Sequence, residues 1–248
     1  VRNNKIYISY VKEHYKECFS TSILVGELNY SYIKFKDFYS PKNCIKKNSE
    51  FYNSHPKDKL VAHQSGGRMI IVDNKLLFST GEYRYRILAQ KINSDFGKII
   101  SIDLTNNSKK IISVGHRNPQ GLYFSNDLNM LFSTEHGPSG GDEINFLDFN
   151  VNNDKIANYG WPIASYGRHY FDNDDDKDKR YELSPLKKSH SKNSFIEPLK
   201  YFVPSVGISQ IIGVPKKFFK SDNNKFLVGT MGNAKKFKEG MISLFFFE

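Results

Sequence analysis

Two short polar runs border apolar segments of this chain. One is AHQSGGR, from Ala62 to Arg68. The other is GHRNPQG, from Gly115 to Gly121, followed fourteen residues later by EHGPSGGDEIN from Glu135. Together they hold three histidines, an Arg-Asn pair, a Gly-Pro step and an Asp-Glu pair. Each residue type has its own chemistry. A neutral imidazole near its own pKa suits proton abstraction. A guanidinium is a permanent cation, suited to a place where negative charge develops. Backbone carbonyls are hard oxygen donors that fit calcium. The same residues also have structural uses. A histidine beside a strand can simply be hydrogen-bonded in its loop, and this is the reading for His116 and His136. Asp142 and Glu143 can bond turn amides, the reading favoured for Glu143. Gly66, Gly67, Gly140 and Gly141 relieve backbone sterics, and Trp161 reads as a packing anchor beneath the site.

The elements that hold these runs read as strands. Few windows carry apolar residues at the helical period, whereas short Ile/Val/Phe/Tyr-rich runs recur between Gly, Asn, Asp and Lys clusters. A pattern returns along the chain. RMIIVDNKLLFSTGE from Arg68 is followed by GKIISIDL, and GLYFSNDLNMLFSTEHG from Gly121 by DEINFLDF. A looser copy is GVPKKFFKSDNNKFLVGTMG from Gly213, followed by GMISLFFF, and KIYISY and SILVGELN belong to an earlier unit. Small sheets that cannot bury both faces alone stack around an axis, so the reading is an all-β propeller, with inner strands delivering polar residues to one end. GHRNPQG and EHGPSGGDE then read as two strand exits aimed at one pocket. The abrupt start and the apolar MISLFFFE end lead to the expectation that residues 1–248 are one partial domain, truncated at both ends.

GHRNPQGL, EHGPSGGDEIN, NYGWP (Asn158 to Pro162) and HQSGGR, in this order of argument, carry a resemblance. Together they are similar to the soluble pyrroloquinoline-quinone (PQQ)-dependent aldose dehydrogenases, the glucose/sorbosone dehydrogenase family. The resemblance implies a six-bladed β-propeller, of which this chain covers about four blades. It implies oxidation of an aldose at its anomeric carbon, with hydride passing to PQQ and the electrons then passing to an external acceptor. It makes His63 the base and Glu82, in place of the family's Asp, its carboxylate partner. Arg117 becomes the cation facing the quinone oxygens, and Asn118 a neighbouring cofactor contact. The carbonyls of Gly137 and Pro138 become ligands of a Ca2+ ion. Phe202 falls near an expected aromatic residue over the cofactor, and Ser205 fits a small hydroxyl contact. VGISQIIGV departs from the family pattern on the substrate side. Gly232 stands where a lysine normally pairs with cofactor carboxylates, leaving Lys235 or Lys236 as substitutes. The resemblance also implies a periplasmic or secreted protein. Its rivals are a non-catalytic propeller that binds through the same pocket and a calcium-dependent sugar lactonase.

The bulk properties are compatible with this reading. With 39% apolar and 15% aromatic residues the chain can bury a large core. The net charge of +10 is spread over many loops and forms no Arg-rich helical face, so no nucleic-acid partner is expected. No apolar run is long enough to span a bilayer. Cys18 and Cys44 are too few and too far apart for a metal knuckle, and sequence leaves their pairing open. Asp172 to Arg180 mimics a calcium loop, but Lys177 and Leu183 stand where Gly and Glu are required, so it reads as a solvated insertion.

Overall fold

A computed structural model describes residues 2–46, 62–148, 156–170, 182–218, 223–232 and 244–247. The Asp172–Arg180 insertion, the HPKDK connector, Lys235 and Lys236 lie outside the described residues. The fold is all-β, as expected, and its strands form four sheets.

The first sheet contains β1 (Lys5–Tyr15), β2 (Cys18–Glu27), β3 (Phe35–Tyr39) and β4 (Ile45–Lys46). In the second, β5 (Gly66–Val72), β6 (Lys75–Thr80), β7 (Lys98–Asp103) and β8 (Lys109–Val114) run antiparallel, and β12 (Ala157–Asn158) adds to β8 in parallel. The third joins β9 (Pro119–Ser125), β10 (Met130–Glu135), β11 (Asp142–Asp148) and β13 (Lys200–Phe202). The fourth holds β14 (Ile208–Val214), β15 (Lys225–Thr230) and β16 (Leu244–Phe247).

Period-two alternation explains how the sheets stack, because consecutive side chains leave opposite faces of a strand. On β6, Leu76 and Phe78 join Ile23 of the first sheet and Ile100 and Ile102 in one core. Leu77, between them, points the other way and meets Leu122 and Leu131 of the third sheet. Phe132 and Ile144 of the third sheet then pack on Ile208, Ile211, Phe226 and Val228 of the fourth. Each inner sheet is therefore apolar on both faces. The first strands β5, β9 and β14 lie next to one another in that order, so successive sheets share an innermost edge.

Two expectations need correcting. The third copy of the repeat begins earlier than Gly213. VGISQIIGV, read as a divergent substrate-side stretch, is strand β14 with Ile208 and Ile211 fully buried. Lys216–Phe218, expected as strand, is a turn of 3-10 helix whose consecutive lysines have no buried face to fill. Cys18 and Cys44, left open by sequence, form a disulfide with Cα atoms 5.3 Å apart, where β2 pairs with β4.

Candidate active site

Three polar segments meet at the same end of neighbouring hairpins. His63–Ser65 leads into β5 and Gly81–Glu82 leaves β6, where Gly66 pairs with Thr80. Likewise His116–Asn118 leads into β9 and His136 follows β10, where Pro119 pairs with Glu135. GHRNPQG is thus a strand entry and EHGPSGGDE a strand exit, not two exits. Antiparallel pairing still brings them to one end.

Backbone contacts stitch the segments together. The Gly81 N–H donates to the Ser65 carbonyl at 2.9 Å and the Tyr83 N–H to the Gln64 carbonyl at 3.2 Å. The Glu82 N–H donates to the Arg117 carbonyl at 3.0 Å, and the Gly66 N–H to Asn118 Oδ1 at 3.1 Å. Gly81 permits this approach: a Cβ there would lie 1.8 Å from the Gln64 carbonyl oxygen.

His63 is exposed, and its Nδ1 lies 3.1 Å from Nη2 of Arg84. A guanidinium only donates, so Nδ1 is the acceptor and the neutral ring carries its proton on Nε2. The expected pairing of His63 with Glu82 is not among the described hydrogen bonds. The Glu82 carboxyl is instead fully buried beside Gln64 and Arg117. Burial pushes it from the ordinary 4.5 up to about 7, against the opposing charges of Arg117, Arg86 and Arg84. Its Oε1 accepts from the Gln64 amide nitrogen, and its Oε2 has no partner.

Arg117 is only 4% exposed. Its Nη1 donates to the His136 carbonyl and its Nη2 to the Tyr170 hydroxyl, both at 2.9 Å. Its guanidinium carbon lies 5.4 Å from the Trp161 ring centre and 5.7 Å from that of Tyr170. Trp161 is therefore the buried floor under the arginine, as expected. Arg86 lies over the same indole at 5.3 Å and contacts His169 Nδ1 at 2.8 Å.

The Gly137–Gly141 turn lies beside this group. Asp142 holds it down: Oδ1 accepts from the Gly137 N–H, and Oδ2 from the N–H groups of Val206, Gly207 and Ile208 at 2.8–3.1 Å. Asp142 thus takes the turn-amide role. Glu143 does not, contrary to expectation. It is buried in a side-chain network, with Oε2 accepting from Asn145 Nδ2 and Oε1 3.3 Å from His190 Nε2. Burial, reinforced by the Glu135 charge, holds its pKa well above the ordinary range. Glu135 Oε2 accepts from the Arg117 N–H, and His116 lies between Ser113 and Glu135, a structural place as expected. Burial lowers the pKa of the His136 imidazole, and the His136 backbone N–H donates to the Asn118 carbonyl at 3.2 Å.

Ser205 Oγ donates to the Pro138 carbonyl at 3.2 Å, so its hydroxyl lies at the Gly137–Gly141 turn. Asn118 keeps its place next to Arg117, but its Oδ1 is committed to Gly66 N–H and Gln120 Nε2. Phe202 stands apart. It packs against the core of the third and fourth sheets, because its register opposite Asp142 turns its side chain there. Sequence reading missed Gln64, Arg84, Arg86 and Tyr170. A signal for the arginines was present in Tyr83-Arg84-Tyr85-Arg86, whose tyrosines are buried beside Phe96 and Ile45. Among the described residues no group of three or more His, Cys, Asp or Glu side chains is placed to hold a metal, so an ion here depends on carbonyl donors.

Known proteins resemble this chain in sequence and fold. A family model described as Glucose / Sorbosone dehydrogenase matches residues 1–238. Aldose sugar dehydrogenase YliI of Escherichia coli (strain K12) is 30% identical over 183 residues, 68% of this chain and 45% of that protein. Quinoprotein glucose dehydrogenase B of Acinetobacter calcoaceticus is 32% identical over 135 residues, 42% of this chain and 27% of that protein. The matches thus span less than half of each of these relatives. Among solved structures, the soluble aldose sugar dehydrogenase of Escherichia coli in its apo form superposes with a TM-score of 0.67 at 22% identity, covering 98% of this chain and 68% of that one. The PQQ-bound aldose sugar dehydrogenase of Streptomyces coelicolor gives 0.58 at 18% identity, covering 98% and 63%. The chain belongs to the glucose/sorbosone dehydrogenase family.

Proposed function

We propose that the intact protein is a quinoprotein that oxidises the anomeric hydroxyl of an aldose to a lactone and passes the electrons to an external acceptor. The observation that carries this reading is the setting of Arg117. A buried guanidinium lies 5.4 Å from the ring centre of Trp161 and 5.7 Å from that of Tyr170, and donates to the phenol oxygen of Tyr170, an aromatic ring with an oxygen acceptor such as a quinone also offers. The residues therefore fit PQQ at the level of their chemistry. The Gly137 and Pro138 carbonyls are hard donors suited to Ca2+, and Glu135 and Glu143 line a small cavity with Gly137. When bound, PQQ supplies the electrophilic carbonyl that accepts the hydride, and the ion makes that carbonyl more electrophilic.

The chain's own residues do the rest. His63 takes the sugar's hydroxyl proton at Nδ1, the nitrogen whose lone pair now faces Arg84, so the sugar hydroxyl replaces an N–H donor already aimed there. Arg117 stabilises the negative charge that develops on the acceptor side. Glu82 sets the field around Arg117, while Asn118 and Ser205 orient the neighbouring backbone. The proposed whole is a six-bladed propeller to which this chain contributes four sheets. The Cys18–Cys44 disulfide favours an exported, periplasmic or secreted protein, since such bonds persist in oxidising compartments. No helix among the described residues is long and apolar enough to cross a membrane.

The test is reconstitution. Apo protein given PQQ and calcium should gain dye-linked aldose oxidation that a chelator removes. Cofactor binding without turnover on any aldose supports the second reading, a binding module, which is favoured by the contact of Arg84 on the lone pair of His63.

A further inference from the structure

Gln64 lies in the HQSGGR run, but neither the proposed base nor the cofactor contacts use it. Its side chain sits between two buried ionisable groups of the site, Glu82 and Arg117. The neighbours assign the orientation of the amide, since a guanidinium can only donate: the oxygen accepts from Arg117 Nη2 at 2.8 Å, which turns the nitrogen toward Glu82 Oε1. Glu82 is fully buried and Arg117 4% exposed, so a direct pair between them would be short and poorly screened. No such pair forms. Glu82 Oε2 has no partner among the described residues, although the Arg84 backbone N–H bonds to this carboxyl and the charges of Arg117, Arg86 and Arg84 act on it. On its side, among the described residues, the Arg117 guanidinium donates only to neutral acceptors: the Gln64 amide, the His136 carbonyl and the Tyr170 hydroxyl.

The backbone is shaped for this placement. Gln64 has φ +61°, a left-handed conformation that costs a non-glycine residue about 1 kcal/mol or more. It is held there by the Tyr83 N–H on its carbonyl and by the bare Cα of Gly81 against it. An amide suits this position because it offers one donor and one acceptor and carries no charge.

We propose that Gln64 is a positioning residue, a neutral spacer that occupies Glu82 and Arg117 with one amide so that they do not close into an ion pair and Arg117 keeps its charge for the pocket. The value of that charge for catalysis rests on the dehydrogenase reading. The spacing itself does not, and its test needs neither cofactor nor sugar.

The test is infrared spectroscopy of the apo protein as a function of pH. The carbonyl stretch of a protonated carboxylic acid is assigned to Glu82 by its loss in Glu82→Gln. At pH 6 the wild-type protein should show this band. Gln64→Met, similar in length but without polar atoms, should lose it, because Arg117 closes on Glu82 and the pair ionises. Gln64→Glu, a second variant that keeps a polar anchor, should retain the band to a pH higher by about one unit or more, because two carboxyls then share the site. A Glu82 band absent from the wild type overturns the proposal. So does a band unchanged in Gln64→Met, or one with the same midpoint in Gln64→Glu as in wild type. Failure of reconstitution with PQQ leaves these measurements untouched, and the reverse also holds.

Discussion

Replacing Glu82 by Gln tests the electrostatics of the site through stability alone. The Glu82 carboxyl is fully buried, and burial raises its pKa from the ordinary 4.5 to about 7. Below pH 4.5 the folded and unfolded chains both hold this proton. Between 4.5 and about 7 the unfolded chain releases it and the folded chain keeps it. The folded state then binds more protons, so its stability falls as the pH rises through this window. At about 1.4 kcal/mol for each pH unit, the loss amounts to about 3 kcal/mol by the time the folded carboxyl has ionised. Gln is the neutral isostere and keeps an oxygen for the Gln64 amide. Urea unfolding of wild type and Glu82→Gln from pH 4.5 to 7.5 should therefore give diverging curves. The variant should gain about 3 kcal/mol on the wild type across the window, most of it between pH 5 and 7. Parallel curves would refute the claim that Glu82 is folded in as a neutral acid and would show that the surrounding arginines hold it ionised throughout.

Three further outcomes are expected. His63→Gln should lower turnover by about a hundredfold or more while leaving PQQ affinity near wild type; equal loss of affinity would make His63 a scaffold residue. Arg84→Met should move the Nδ1 resonance of His63 in nitrogen-15 NMR toward that of an imidazole nitrogen with no donor upon it, and an unmoved resonance contradicts the contact. Asp142→Ala should destabilise the protein by about 3 kcal/mol or more in denaturant unfolding, because the N–H groups of Gly137, Val206, Gly207 and Ile208 lose their shared acceptor.

What sequence could and could not show follows from the range of each interaction. Strands β5, β6, β9 and β10 were legible because local alternation and Asn/Asp turns determine them, and a hairpin closes within a few residues. The third copy misled because VPKKFF has the composition of a strand, whereas the strand that packs is ISQIIGV, and only Phe132 and Ile144 of the neighbouring sheet decide between them. The disulfide joins residues 26 apart and depends on β4 lying beside β2, which no spacing rule supplies. Glu143 was misread for a similar reason. Asp142 and Glu143 are adjacent and chemically alike, but successive strand residues face opposite ways. One therefore reaches the amides before β14 and the other the interior beside His190.

The residues missed at the site share one property: their roles are relations between segments. His63 and Arg117 stand out singly, because imidazole and guanidinium carry their chemistry with them. Gln64 is unremarkable alone and gains a role only when Gly81 lets its loop rest against the next hairpin and places an amide between a carboxyl and a guanidinium. The same holds for Arg84, which bears on His63 because Tyr83 and Tyr85 are buried on the far side and leave the arginine toward the base. Both residues adopt left-handed backbone, Gln64 at φ +61° and Arg84 at φ +68°. Two strained non-glycine positions against one buried carboxyl are costly to keep, and the packed hairpins beneath them supply the stability that offsets the strain. The polar hairpin end is thus a single electrostatic unit. On the proposed reading, a neutral side chain on a different strand entry keeps the Arg117 charge from being compensated by Glu82.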